Sequence, residues 1–281
     1  MAPSIDPAGV ARSEFLPDPA LSRTEMESLQ RELAAAATFA DDHGIDPAAV
    51  AIGEPADLTD GLPDARSEAG NSASPVVVGV DQAFLTPDDG EDRAVSAAVA
   101  IRDGAVIEYA SATTPLSIPY VPGLLAFREG EPMLAALDGL ETEPDLLVCD
   151  GSGRIHFREA GVATHVGVLL DVPSVGVAKS LLCGAPDEST DERPVGWRTP
   201  VRADDSVETA DPDTASTIGH AYQSRQYPNS RRVNPLYVSP GHRVSPATTV
   251  ELVEALCAGY KLPEPTRIAD AYADAAKRDA A

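Results

Sequence analysis

The sequence has few cysteines and no long hydrophobic run. Its three cysteines, Cys149, Cys183 and Cys257, are far apart, and none forms a CxxC pair. This spacing argues against a disulfide framework and against a cysteine zinc site, and it favours a reducing compartment. No apolar run reaches the roughly 20 residues of a membrane-spanning helix, and the N-terminus lacks the pattern of a secretory signal. We therefore expect a cytoplasmic protein with no membrane partner.

Positive charge is also scarce. Lysine and arginine total 21 against 45 aspartates and glutamates, which gives a net charge of −24, and the only lysines are Lys179, Lys261 and Lys277. Because the acids are spread from end to end, a salt-rich cytoplasm explains them better than an acidic partner-binding tail. Such a charge argues against nucleic-acid binding, but molar salt weakens that argument by shortening the Debye length to about 3 Å.

The chain is long enough for one sizeable core, and its pattern divides it in two. We predict an N-terminal helix and a flexible acidic linker over 1–74, followed by an ordered domain over 75–281. Thr24 and Glu27 form a capping-box pattern, which predicts a helix over about 25–41. Residues 52–75 are rich in Gly, Pro, Asp and Ser, a composition typical of an exposed linker.

The domain over 75–281 has short apolar runs typical of buried strands and longer segments with helical periodicity. Asp103-Gly104 predicts a hairpin turn between two of the strands, and the acidic stretch 185–216 is expected to be irregular. The fold class is therefore α/β, a mixed central sheet flanked by helices. Strands are predicted at 76–80, 94–101, 105–113, 146–149, 174–177 and 234–239, and helices at 123–140, 160–171 and 246–260.

Three acids stand where the predicted elements place them together. Asp81 and Asp150 each follow a buried strand, and Glu129 lies early in the helix before the Asp150 strand. Each Asp alone is most simply a strand cap or a turn residue. Carboxylates that converge at one end of a sheet repel one another, however, and a divalent cation relieves that repulsion. Mg²⁺ completes its shell with water and substrate phosphate, which suits phosphodiester hydrolysis.

Other residues near these acids have both a simple and a functional interpretation. Lys179 follows a buried strand, and in a chain that avoids lysine a compact ammonium beside a phosphate is favoured over a solvated strand end. Gly151, Gly153 and His156, in DGSGRIH, fit either an ordinary turn or a backbone that approaches a ligand closely. His242, in SPGHRVSP, fits a helix-entry histidine as well as a site residue.

Four segments carry a resemblance to a known family. They are GVDQAF at 79–84, PYVPGLLAFREGEPML at 119–134, PDLLVCDGSGRIHFREAGVATHVGVLLDVPSVGVAKSLL at 144–182 and YVSPGHRVSPATTVELV at 237–253. With these motifs in family order over about residues 76–270, the chain resembles endonuclease V. The resemblance implies a ribonuclease H-like fold and a metal-dependent endonuclease of DNA repair, which uses Mg²⁺, with Mn²⁺ as an alternative ion. It implies hydrolysis of the second phosphodiester bond 3′ to deoxyinosine.

The resemblance also implies roles for the catalytic residues. Asp81 and Asp150 match acids that contact the metal, and Glu129 matches one that does so directly or through water. His242 matches a residue that closes the fourth side of the site and helps a second metal or positions water. Lys179 matches the lysine near the cleaved phosphate.

The remaining matches concern the base. Tyr120 matches the wedge that enters the duplex where the lesion leaves it, and Gly151, Gly153 and His156 match the pocket that accepts the everted base. Extrusion is plausible because inosine pairs weakly with most partners and is therefore cheaper to unstack.

The sequence departs from the family pattern beside this pocket. Ser152 stands where a His or Asn is common, and Phe157 replaces a proline, so both bear on base selectivity. Three alternatives stay open at this stage: an endoribonuclease specific for inosine in RNA, a module that binds inosine without cutting, and an acidic structural protein with an incidental ribonuclease H-like core.

Overall fold

A computed structural model describes residues 10–66, 73–87, 90–119, 121–209 and 216–280. Within these residues, nine strands form one mixed sheet in the order β3-β2-β1-β4-β5-β9-β8-β7-β6. The strands are β1 Val77–Leu85, β2 Arg93–Arg102, β3 Ala105–Pro115, β4 Leu146–Asp150, β5 Ser174–Ala178, β6 Ala185–Pro186, β7 Arg198–Arg202, β8 Thr217–Tyr222 and β9 Leu236–His242. The helices are α1 Arg23–Ala36, α2 Leu125–Leu137, α3 Val162–Leu170, α4 Pro246–Leu256 and α5 Glu264–Ala280.

The centre of the sheet is parallel and its flanks are antiparallel. β4 pairs in parallel with β1 and β5, whereas β1, β2 and β3 form consecutive antiparallel hairpins. The turn between β2 and β3 has positive φ at Asp103 (50°) and Gly104 (72°), as a tight hairpin turn requires. The predicted hairpin and the predicted α/β class are both confirmed.

Helices cover both faces of the sheet because its central strands are apolar on both sides. Side chains alternate between the faces along a strand, so Val78 and Leu147 pack towards α1, α2 and α3. Val77 and Leu146 pack towards α4 and α5. None of the described helices is long and apolar enough to cross a membrane.

The N-terminal segment packs on the sheet and does not form a separate unit. Its helix is capped by Ser22 and Glu25 in a capping box, not by the predicted Thr24 and Glu27, and Leu33 is only 1% exposed. The expected linker is fixed at two points: the Ile52 N–H donates to the Ala255 carbonyl (2.9 Å), and the Tyr109 hydroxyl donates to the Pro63 carbonyl (2.7 Å). A boundary at residue 74 therefore does not divide the described chain into two bodies.

Four elements were not predicted from the sequence. β6 and β7 lie within the stretch that was expected to be irregular, β8 follows it directly, and α5 was missed altogether. α5 crosses β1 so closely that a Cβ on Gly79 would meet the Pro265 carbonyl oxygen at 2.1 Å. Glycine at position 79 thus permits the close approach of α5 to β1.

Candidate active site

The two strand-end acids meet because their strands are parallel neighbours. The register pairs Val80 with Cys149, which places Asp81 and Asp150 side by side at the same edge of the sheet. Glu129 approaches from α2, and Lys179 follows β5 directly. These four residues line a cleft of about 270 Å³ together with Gln82, Phe84, Leu125, Met133, Gly151 and Ala178.

The cleft holds its charges in a partly buried setting. Burial, and then the charge of Asp150, raises the pKa of Asp81 to about 8. Burial likewise raises the pKa of Glu129 to about 7. Burial alone would lower the pKa of Lys179, but the charge of Asp150 and a 3.0 Å hydrogen bond from Nζ to Asp150 Oδ2 raise it overall.

One carboxylate oxygen in the cleft lacks a hydrogen-bond donor, and a bound cation would satisfy it. Asp81 Oδ1 accepts the backbone N–H of Gln82 at 2.7 Å, whereas Asp81 Oδ2 is buried without a hydrogen-bond partner. In the described part of the chain, no three His, Cys, Asp or Glu side chains lie close enough to enclose a metal by themselves. Mg²⁺ commonly takes one or two carboxylates and keeps several waters, so Asp81 and Asp150 fit that ion.

A fourth acid, which the sequence analysis missed, lies close enough to the cleft to act on its charges. Asp270 is an exposed residue of α5, and its charge raises the pKa of both Asp81 and Lys179. The alternation Val77–Gly79–Asp81 places Asp81 on the face of β1 that α5 covers. The signal that could have found Asp270 was the helical spacing of Ile268, Ala269 and Ala273 just before and after it.

His242, by contrast, is far from the acids. The prediction that it closes the fourth side of the site is therefore not met by its position in the fold. β5 and β9 are antiparallel with Ser174 opposite His242, so four residues of β5, roughly 13 Å, separate His242 from the end that carries Lys179. Its Nδ1 accepts the Thr38 N–H (3.2 Å), and its Nε2 lies 3.1 Å from Asp171 Oδ1. His242 thus anchors the N-terminal segment.

A second, smaller pocket of about 110 Å³ adjoins the cleft and shares Leu125 with it. His156 is buried in its wall, where Nδ1 accepts the Arg158 N–H at 3.2 Å. Burial lowers the pKa of His156 to about 4, so the imidazole is neutral near pH 7. The complete lining is Val121, Pro122, Gly123, Leu125, Ala126, Ser152, His156, Gly161, Val162 and Leu182.

The other residues predicted for this pocket lie elsewhere. Gly151 lines the acid cleft. Gly153 packs against β9, where a Cβ would meet the Pro240 carbonyl oxygen at 2.2 Å, so its role is packing. Phe157 packs into a separate core cluster, but its ring also lies beside the pocket wall, where a Cβ on Gly123 would meet it at 3.2 Å. Tyr120 lies outside the described residues.

The N-terminal helix supports the wall of the pocket from behind. The Gln30 side chain is fully buried, and its Nε2 donates to the Gly123 carbonyl at 3.1 Å. Its Oε1 accepts from Arg158 Nε at 2.7 Å, and Arg158 Nη2 also donates to the Gly123 carbonyl. A residue of α1 therefore fixes the backbone of the loop that follows Tyr120.

Comparison with known proteins identifies the family of the chain. The family model of endonuclease V matches residues 64–271. The endonuclease V of Halobacterium salinarum is 58% identical over 267 residues, covering 94% of this chain and 98% of the relative.

Two solved structures show the same architecture. The endonuclease V of Streptomyces avermitilis superposes with a TM-score of 0.66 at 33% identity, covering 92% of this chain and 95% of the other. The endonuclease V of Ciona intestinalis, solved with a 24mer DNA containing an inosine followed by a ribo-adenosine, superposes with a TM-score of 0.65. The two sequences are 24% identical, and the superposition covers 92% of this chain and 98% of the Ciona intestinalis chain.

Proposed function

The chain belongs to the endonuclease V family and is an endonuclease, and we propose that it acts in DNA repair on deoxyinosine. The proposed cut is at the second phosphodiester bond on the 3′ side of the lesion. The observation that carries this proposal is the contact between the acid cleft and the small pocket at Leu125. If a base is extruded into the pocket, the backbone of the same strand would cross the adjoining cleft, so that one strand would occupy both the pocket and the cleft. The inosine-containing DNA bound by the Ciona intestinalis protein supports the same substrate class.

The pocket is suited to an uncharged, flat base. The imidazole of His156 is neutral and is fixed by the backbone of Arg158 on one side and of Gly123 on the other. Ser152 adds a hydroxyl that can donate to or accept from a base edge. An extruded inosine gives up weak pairing, which lowers the cost of entering the pocket.

In the acid cleft, Asp81 and Asp150 would hold Mg²⁺ or Mn²⁺, with Glu129 in direct contact or acting through water. A bound ion would supply Lewis-acid polarisation of the scissile phosphoryl group. Asp150 holds the Lys179 ammonium at the cleft, and the remaining N–H groups of that ammonium can bind a phosphate oxygen. Asp270 would bind or orient water on the α5 side.

Tyr120 is proposed as the wedge that fills the gap left by the extruded base. Its neighbours Val121 and Pro122 line the pocket, which supports that role. An aromatic side chain there would offset the lost base stacking, which is worth about 1–3 kcal/mol per base.

One assay tests these assignments together. Matched DNA and RNA oligonucleotides with a single inosine are incubated in molar KCl with Mg²⁺ or with EDTA. We expect cleavage of the DNA with Mg²⁺ and none with EDTA. Cleavage of RNA alone would favour the endoribonuclease, and binding of either strand without any cleavage would favour a non-cleaving inosine-binding module.

A further inference from the structure

A basic and aromatic surface lies beside the cleft, on a chain that is otherwise strongly acidic. It is formed by the loop between β8 and β9 and by the turn before α5, and we call it the arginine–tyrosine surface. Its members are Arg225, Tyr227, Arg231, Arg232, Tyr260 and Lys261.

The surface is held together by ring and backbone contacts. The Ser224 hydroxyl donates to the Lys261 carbonyl at 2.6 Å, which joins the loop to the turn. The Arg225 guanidinium carbon lies 5.2 Å from the centre of the Tyr260 ring and 5.8 Å from that of Tyr227. These contacts place Arg225 between two tyrosine rings, and Tyr227 and Arg231 line one groove.

The arginines of the surface lack acidic partners. Among the residues that the structure describes, no carboxylate lies within ion-pair distance of Arg225, Arg231 or Arg232, although the chain has more than two acids for each base. The hydrogen bond that Arg231 makes within the described residues goes to the Glu192 backbone carbonyl, at 3.1 Å. Arginines elsewhere, such as Arg154, do pair with carboxylates.

Exposed aromatic rings mark the same place. Tyr227 is 54% exposed and Tyr260 41% exposed, and both belong to the few large hydrophobic side chains that the described residues expose. The chain is only 5% aromatic, so two exposed tyrosines on one basic patch are a specific feature. Bases of a single strand stack on such rings.

A groove leads from the cleft towards the chain segment that carries this surface. A groove of about 210 Å³ begins at Lys179 and is lined by Asn234 and Pro235, which lie just after Arg232. Asp191 lines the groove as well. Burial and then the positive charge of Lys179 lower the pKa of Lys261, so two of the three lysines of the chain lie near each other.

We propose that the arginine–tyrosine surface binds the nucleic-acid strand that flanks the cleavage site as it leaves the cleft past Lys179. The proposal rests on the proposed function, since it assumes that Lys179 lies beside the scissile phosphate. Guanidinium groups form bidentate hydrogen bonds with phosphates, and tyrosine rings stack on bases of any sequence. An acidic chain needs such a surface because its overall field repels nucleic acid.

The test measures binding as the flank is shortened. All proteins carry Asp81→Asn to prevent cleavage, and fluorescence anisotropy in molar KCl with fixed Mg²⁺ reports Kd for inosine strands with long or truncated flanks on either side. The test protein carries Arg225→Ala, Arg231→Ala and Arg232→Ala. The matched control carries Arg12→Ala, Arg66→Ala and Arg278→Ala, and therefore has the same net charge.

On substrates with the long flank, we expect the test protein to bind about tenfold more weakly than the control, as for the loss of one good stacking or phosphate contact. On one truncated flank, the two proteins should bind equally. A second variant, Tyr227→Ala with Tyr260→Ala, should show the same dependence on flank length. It replaces the arginine variant in the test if circular dichroism shows that the arginine variant does not fold. Equal binding by test and control proteins on every substrate would overturn the proposal and assign the surface to another partner, such as an acidic protein.

Failure of the proposed function is separable from this result. The arginine variants can be scored with undamaged strands of the same lengths, and flank-dependent loss on those strands supports the surface whether or not inosine is recognised. Failure of the wild-type protein to cut inosine strands would overturn the proposed substrate alone.

Discussion

Asp81 and Asp150 end neighbouring strands, yet their carboxylates have different environments. Asp150 accepts a hydrogen bond from Lys179 at 3.0 Å, whereas Asp81 is 5% exposed and keeps one buried oxygen without a donor. A buried carboxylate beside another acid stays ionised at low cost only when a cation compensates it. Asp81 is therefore the residue through which metal binding should stabilise the folded chain.

The first prediction is that Mg²⁺ raises the melting temperature of the wild-type protein but not that of Asp81→Asn. A ligand that binds only the folded state stabilises it by about 2.7 kcal/mol at one hundred times its Kd. Thermal melts in fixed molar KCl with Mg²⁺ or EDTA measure this without reference to activity. Asp81→Asn should also lose cleavage. An unchanged Mg²⁺ shift in the variant would place the ion elsewhere.

The second prediction separates Asp270 from His242. Asp270→Asn should reduce cleavage at least tenfold with little change in melting temperature, since Asp270 is exposed and lies near enough for its charge to raise the pKa of both Asp81 and Lys179. His242→Ala should keep cleavage within about threefold but should lower the unfolding free energy by about 1–3 kcal/mol, because it removes buried hydrogen bonds. Initial rates and urea melts of both variants are the measurements. A large loss of cleavage in His242→Ala, with wild-type rates in Asp270→Asn, would instead assign His242 to the active site.

At the scale of elements, α1 acts on the pocket although it precedes the sheet by some forty residues. Gln30 joins Arg158 and the Gly123 carbonyl in one buried network, and Arg158 continues it to Glu208 at 2.9 Å. The network fixes the loop backbone next to the pocket, so the helix positions the wall that would receive the base.

The third prediction follows from this network. Gln30→Leu leaves Arg158 Nε without its partner, at a cost of about 1.5–3 kcal/mol, and frees the loop around Gly123. We expect KM for duplex inosine DNA to rise about tenfold, with a smaller change on single strands. Leu33→Ala is the control, because it weakens the packing of the same helix without touching the network. Equal kinetic losses in the two variants at matched melting temperature would reduce Gln30 to a purely structural role.

Prediction from the sequence succeeded where local pattern and tertiary structure agree. The hairpin turn at Asp103-Gly104 and the apolar runs ending at Asp81 and Asp150 are local signals, and the parallel register then brings the acids together. β7 and β8 pair antiparallel with each other and with their neighbours in sequence, β6 and β9. They were missed because their sequences, RTPVR and TIGHAY, lack the continuous apolar runs that marked the other strands. α5 was missed because its helical pattern is alanine-rich and acidic, so Asp270 was missed with it.

At the scale of the whole molecule, charge dominates. The net charge of −24 is spread over the chain, and many of the described arginines are neutralised in ion pairs, such as Arg158 with Glu208 and Arg267 with Glu264. Self-repulsion therefore opposes folding at low salt, and the same field opposes the approach of DNA. The arginine–tyrosine surface is a local exception, because among the described residues its arginines have no carboxylate within ion-pair distance.

The last prediction is that cleavage of an inosine oligonucleotide rises with KCl from low to molar concentration and stays high there. A DNA binder that relies on counterion release loses affinity with salt, at a log–log slope of about −0.9 per phosphate contacted. This chain cannot rely on that term, and added salt screens both its self-repulsion and its repulsion of DNA. The contacts that remain act at short range, between cation and phosphate and between ring and base. Initial rates across a KCl series at fixed Mg²⁺ measure the effect, with circular dichroism to confirm the fold at each step. If the folded protein is most active at low salt and loses activity steadily as KCl rises, salt adaptation is contradicted. The acidic surface would then be explained by a basic protein partner.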